Sequence, residues 1–227
     1  GCDQLVEKTS PLDGIYYILD GWQKFEGGDY NRAHDLFSTV LLDGASQQYF
    51  DDAYVGLAWN SIYKANTMQG SNNFSEREYE RNVSNENLNR AMEHMEDNNE
   101  TCPSENSCSI LCQNLLAGRT YNSSYKALEA SRKFYDYGLN PSDWQDMLDY
   151  SDSTIAISKI LLEECNSEYV FNHDELITSN LIRVLRVQTY LRKSEFDLAE
   201  AEIILIDDLQ CDLSVQTIFE CFTDYCE

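Results

Sequence analysis

The stretch GWQKFEGGDYNRAHDLF, Gly21 to Phe37, limits the fold more than any other part of the chain. Up to Gly27, the apolar residues Ile15, Tyr16, Leu19, Trp22 and Phe25 recur at intervals of three and four, with Leu12 as an apolar staple at the entry. That spacing puts them on one face of a helix. After Gly28, Tyr30, Ala33, Phe37, Val40 and Leu41 recur in the same way. The two glycines separate the runs, because glycine enters the left-handed backbone region at no steric cost and so ends a helix. Asp29 can then cap the second run, its carboxylate accepting from exposed amide N–H groups. The spacing predicts two antiparallel helices joined by a tight turn. Trp22 and Phe25 should face Tyr30 and Phe37, and Ala33 should let the two backbones approach.

The pattern of the second helix recurs along the chain. Tyr30, Ala33 and Phe37 align with Leu88, Ala91 and Met95, with Ala127, Ala130 and Phe134, and with Phe196, Ala199 and Ile203. In the last of these Ile206 echoes Val40. The first helix recurs more loosely, Asp20–Trp22 matching Leu57–Trp59 and Leu116–Gly118 falling at a comparable place. Gln188–Asp207 reads as the opening hairpin with Ser194 in place of Gly28. This pattern resembles the tetratricopeptide repeat, a helix–turn–helix unit of about 34 residues. The resemblance is strongest over residues 12–69 and 174–208. It implies an all-α, TPR-like α-solenoid of about four to five helical hairpins with a C-terminal capping helix. The expected organisation is an N-terminal arm over 1–11, a hairpin array over 12–208 and a cysteine-containing cap over 209–227. The repeat core would include Trp22, Tyr30, Ala33, Phe37, Trp59, Ala91, Met95, Ala130, Phe134, Phe196, Ala199 and Ile203. The Asn/Ser-rich Met68–Asn73 would hold an insertion. Only three prolines in 227 residues agree with long helices. Ser75 with Glu78 and Ser142 with Gln145 read as capping boxes, and Asn140-Pro141 as a helix start.

Charge and cysteines narrow the setting. A net charge of −24 repels nucleic acid and anionic membranes and leaves basic partners open. No run of apolar residues is long enough to span a bilayer. The eight cysteines are Cys2, Cys102, Cys108, Cys112, Cys165, Cys211, Cys221 and Cys226, with no Cys-x-x-Cys pair among them. With histidine also scarce, the pattern favours a disulfide framework over a metal site, and hence an extracellular or envelope location. Sequence proximity favours bridges within 102–112 and within 211–226. Gly1-Cys2 resembles the cleavage end of a bacterial lipoprotein signal, which would make Cys2 a lipidated residue. Because Gly1 is still present, Cys2 is also open to being a free or bridged thiol. Asn-x-Ser/Thr acceptor sites stand at Asn73, Asn82, Asn99 and Asn122, so covalent glycans are the only non-protein groups expected. Asn82 and Asn99 have an acid two residues upstream, which resembles the bacterial acceptor pattern.

Two functional classes follow. Stacked hairpins bury their faces on one another and need polar caps at the ends. Here both ends are apolar, and uncapped ends stack head-to-tail into filaments that do not close. The first expectation is a non-enzymatic, exported structural protein that polymerises with itself. The alternative is a monomeric or membrane-anchored adaptor holding a protein or peptide in an acidic groove lined by Tyr16, Tyr17, Tyr54 and Tyr63. An enzyme is not expected. His34, His94 and His173 are far apart, and no nucleophile elbow, zinc-protease pair, phosphate loop or dinucleotide fingerprint occurs.

Overall fold

The computed structural model describes residues 11–68, 73–103 and 108–206. The cap at 209–227, nearly all of the N-terminal arm, and Cys2, Cys211, Cys221 and Cys226 lie outside the described residues. So does most of the expected insertion at Met68–Asn73. The described residues form eight α-helices, with a single β-bridge between Val170 and Thr178. The chain divides into two compact units, 1–104 and 105–227.

The first unit contains α1 (Pro11–Glu26), α2 (Tyr30–Leu42), a 3-10 turn (Gly44–Tyr49), α3 (Phe50–Thr67) and α4 (Phe74–Asp97). The opening hairpin forms as its spacing predicts. Gly28 takes φ +76°. Its N–H donates to the Phe25 carbonyl and that of Asp29 to the Lys24 carbonyl, both at 2.9 Å, closing the end of α1. Asp29 then accepts from the Arg32 N–H at 3.2 Å and caps α2. Trp22 meets Phe37 edge-on with ring centroids 5.0 Å apart, and Phe25 meets Tyr30 at 5.7 Å. Ala33, Phe37 and Val40 are fully buried.

Two glycines make room for Phe37. A Cβ on Gly21 of α1 would stand 2.7 Å from its ring, and one on Gly56 of α3 would stand 2.6 Å away. The ring is therefore held between two helices that carry no side chain at the point of contact. Helix α3 packs on α1, α2 and α4. That explains why Val55, Leu57, Ala58, Trp59, Ile62 and Ala65 are buried on several of its faces. Helix α4 buries the stripe Leu88, Ala91 and Met95 and turns a polar face outward.

The second unit contains α5 (Ile110–Asp136), α6 (Pro141–Lys159), a π-helical turn (Ile160–Cys165), α7 (Ser179–Arg192) and α8 (Phe196–Ile203). Between α5 and α6, Gly138 takes φ +118° and Leu139 N–H donates to the Phe134 carbonyl at 2.8 Å. Between α7 and α8, Ser194 takes φ +61° and Glu195 N–H donates to the Tyr190 carbonyl at 2.9 Å. Ser194 thus does at this turn what Gly28 does at the first. Val184, Val187 and Tyr190 of α7 close a core with Ala199, Ile203 and Ile206.

Several expectations need correction. Leu116–Gly118 and Ala127–Phe134 are not two helices of one hairpin: both lie on the 27-residue α5. Nothing between them breaks a helix. Thr120 turns its hydroxyl to the Leu116 carbonyl at 2.9 Å, and Ser124 Oγ accepts from Arg192 at 3.2 Å. Ala130 and Phe134 therefore belong to the first helix of their hairpin rather than the second. The expected capping boxes are displaced by two residues. Asn73 is the N-cap of α4 and Ser75 lies inside the helix. Asn140 caps α6, accepting from Ser142 N–H, with Pro141 as the first helical residue. Phe196 aligns with Tyr30 but is about half exposed, where Tyr30 packs on Phe25 and Tyr63.

Candidate functional site

Apolar side chains stand outward on the first and last described helices. On α1, Tyr16 is 66% and Leu19 59% exposed. On α8 and the turn after it, Phe196, Leu198, Ile204 and Leu205 are exposed, Ile204 at 71%. The facing sides of the same helices are ordinary core. On α1, Tyr16 and Leu19 are three residues apart and share one outward side.

The cysteines gather at the start of α5. Cys108 lies just before the helix, Cys112 in its first turn, and Cys165 at the end of the π-helical turn. Cys108 and Cys165 are bridged, with Cα atoms 5.1 Å apart across a separation of 57 residues. Cys102 and Cys112 are disulfide-bonded too. Cys108 therefore does not pair within the 102–112 segment, as proximity suggested; folding brings it a partner from far along the chain. The Sγ of Cys112 lies 3.2 Å from that of Cys108, and the three sulfurs of Cys108, Cys112 and Cys165 all fall within 4.8 Å of one another. Hydrogen bonds hold the surroundings. Ser109 Oγ accepts from Cys112 N–H, Gln113 donates to the Cys108 carbonyl at 2.8 Å, and Asn166 donates to Gln113 at 2.9 Å. Tyr169 and Asn114 join at 3.0 Å, tying the loop after the π turn to α5.

Charged groups are buried elsewhere in each unit. In the second, Glu202 of α8 accepts from Arg183 at 2.8 Å and pairs with Arg186 at 3.1 Å, while Arg186 also reaches Glu163 at 3.4 Å. Glu202 and Arg186 are both nearly inaccessible. The apolar patterning of α7 and α8 gave no sign of this cluster. The i, i+3 spacing of Arg183 and Arg186, with Glu202 set between the apolar Ala199 and Ile203 of a short helix, was the available clue. In the first unit, burial, then the neighbouring Asp51 and Glu100, push the Asp52 carboxyl up to about 6. Half-buried Lys193 gains basicity from its hydrogen bond to Asp152.

The acceptor asparagines separate by exposure. Asn82 and Asn99 are exposed and Asn73 is half-buried at the start of α4, whereas Asn122 is buried in α5. A glycan on Asn122 would displace the core of the second unit. The histidines occupy separate local settings. His34 lies 3.9 Å from Asp35, His94 packs on Phe50, and His173 packs on Phe171. Of the proposed groove tyrosines, Tyr63 is packed between Phe25, Tyr30 and Trp59, and Tyr54 lies against Phe50; Tyr16 stands outward. No protein-family model matches the chain, and no curated protein or solved structure matches it.

Proposed function

We propose that this chain is a non-enzymatic structural subunit, a TPR-like α-solenoid that is exported and stacks head-to-tail into an extracellular filament. One observation carries the reading: the outward apolar residues Tyr16 and Leu19 on α1, and Phe196, Leu198, Ile204 and Leu205 on α8 and the turn after it. In a stack of hairpins each face is covered by the next hairpin, so outward apolar residues on an end hairpin favour stacking on another copy. The repeat reading is supported by matched turns at Gly28 and Ser194 and by the buried Ala33, Ala91 and Ala199. Four disulfide-bonded cysteines support an oxidising, extracellular or envelope setting. Glycans would decorate Asn82 and Asn99 in preference to Asn122.

The test is electron microscopy of the full chain under non-reducing conditions, with a sizing profile beside it. Filaments that disappear in Leu19→Glu and in Ile204→Glu, with the helical circular dichroism kept, support the proposal. A monomer that forms no filament refutes it and leaves the adaptor reading.

A further inference from the structure

We infer that the sulfur cluster of Cys108, Cys112 and Cys165 becomes, once its disulfides are opened, a binding site for one soft divalent cation such as Zn²⁺. This holds whether or not the chain polymerises.

The geometry comes first. Thiolate–zinc bonds of about 2.3 Å in a tetrahedron set the ligand sulfurs roughly 3.8 Å apart. Here the three sulfurs already lie within 4.8 Å of one another, with Cys112 and Cys108 at 3.2 Å. Opening the Cys108–Cys165 bond and the disulfide of Cys112 frees all three sulfurs, and small shifts that widen Cys108–Cys165 and Cys108–Cys112 then reach that spacing. Three sulfur ligands leave the fourth tetrahedral position to water or another donor.

The bridge is not the sole tie between these segments. The Gln113–Cys108, Asn166–Gln113 and Tyr169–Asn114 hydrogen bonds join the start of α5 to the π turn and the loop after it. Asn114 also donates to Asn172 at 3.0 Å. These contacts keep Cys165 beside α5 when the sulfurs are reduced. The π-helical turn adds to this. Asn166 N–H donates to the Leu161 carbonyl at 2.7 Å, and the wider turn sets the position of Cys165. Such single-turn π segments occur often at functional sites.

The chemistry is consistent with a thiophilic cation. A thiol or phosphine reductant supplies two electrons to each disulfide, which takes up two protons and becomes two thiols. Binding the cation then releases the ligand protons. Cys112 sits in the first turn of a long helix, where the positive end of the helix dipole favours the anionic sulfur. Thiolates select zinc and its neighbours over magnesium and calcium.

The experiment reduces the full chain with a phosphine under exclusion of oxygen and titrates it with Co²⁺, which reports thiolate ligation by charge-transfer absorption. Zn²⁺ is then added as competitor. One equivalent of cobalt with thiolate bands, displaced by zinc, is expected. Cys112→Ser should lose the bands, and Asn166→Ala, a positioning change, should weaken zinc binding about 10–100-fold. Should a variant fail to fold, alkylation of the wild-type chain with and without zinc, mapped by mass spectrometry, decides the matter. Protection of Cys108, Cys112 and Cys165 supports the site. Absence of cobalt bands, or protection confined to other cysteines, overturns it.

Discussion

Replacing Gly56 with alanine sets two effects against each other. Alanine is the better helix former, by about 1 kcal/mol in a helix interior. Against that, the new Cβ would stand 2.6 Å from the Phe37 ring, well inside the 3.4 Å at which ordinary contact begins. The ring has no free direction. It is fully buried, Gly21 holds it from α1 at a matching 2.7 Å, and Trp22 closes a further side at 5.0 Å. Overpacking of a core costs about 1–3 kcal/mol, and a ring held from two sides belongs in the upper part of that range. The expected net effect is a loss of about 1–2 kcal/mol, overpacking exceeding the gain in helix propensity. Urea unfolding of the full chain in a Trp144→Phe background measures it. The remaining fluorophores, Trp22 and Trp59, then both report on the first unit. Adding Phe37→Leu should recover at least about 1 kcal/mol of the loss, since contacting residues couple on that scale. A Gly56→Ala chain that is neutral or more stable, or a double variant with no coupling, would refute the reasoning.

Other expectations follow from single contacts. Ser194→Gly should stabilise the second unit by about 1 kcal/mol, because a left-handed backbone costs a non-glycine residue about 1–2 kcal/mol; thermal unfolding checks it. Glu202→Ala takes the carboxylate from half-buried Arg183 and leaves buried Arg186 only Glu163 at 3.4 Å, and should cost about 3 kcal/mol by denaturant titration. Asp52 is ionised in the unfolded chain above about pH 4 but keeps its proton in the folded one to about 6. Its burial therefore lowers stability as pH rises through that window, and the loss persists above it. Asp52→Asn should leave stability unchanged at pH 3 and raise it at pH 8. The gain is at most about 3 kcal/mol, and about half that where partial solvent access screens the charges.

The sequence made legible what repeats locally. The glycine turn, the Asp29 cap, the facing aromatics and the Ser194 substitution are all written in neighbouring residues. Patterns of three and four cannot say where one helix stops when no breaker intervenes, and α5 runs through Asn122–Ser124 for that reason. Glycines 21 and 56 look unremarkable in sequence; their reason appears only when Phe37 arrives from another helix. The cysteine cluster is still less legible. Cys165 joins Cys108 through a π turn that composition does not announce, and proximity along the chain pointed elsewhere. The Arg183–Glu202–Arg186 cluster escaped because buried charge interrupts an apolar stripe without changing its period.

Charge also separates the two readings of function. Each copy carries a net charge of −24, so two copies repel on approach. Stacking of apolar faces must overcome that repulsion, which salt screens over a Debye length of about 8 Å at physiological ionic strength. Filament formation should therefore strengthen from low salt to several times physiological. An acidic groove holding a basic peptide depends on attraction and weakens over the same range. Light scattering of the full chain across a salt series reads the sign directly. Assemblies that dissolve as salt is added would refute apolar end-to-end stacking, because the only force salt removes between like-charged copies is the one opposing them.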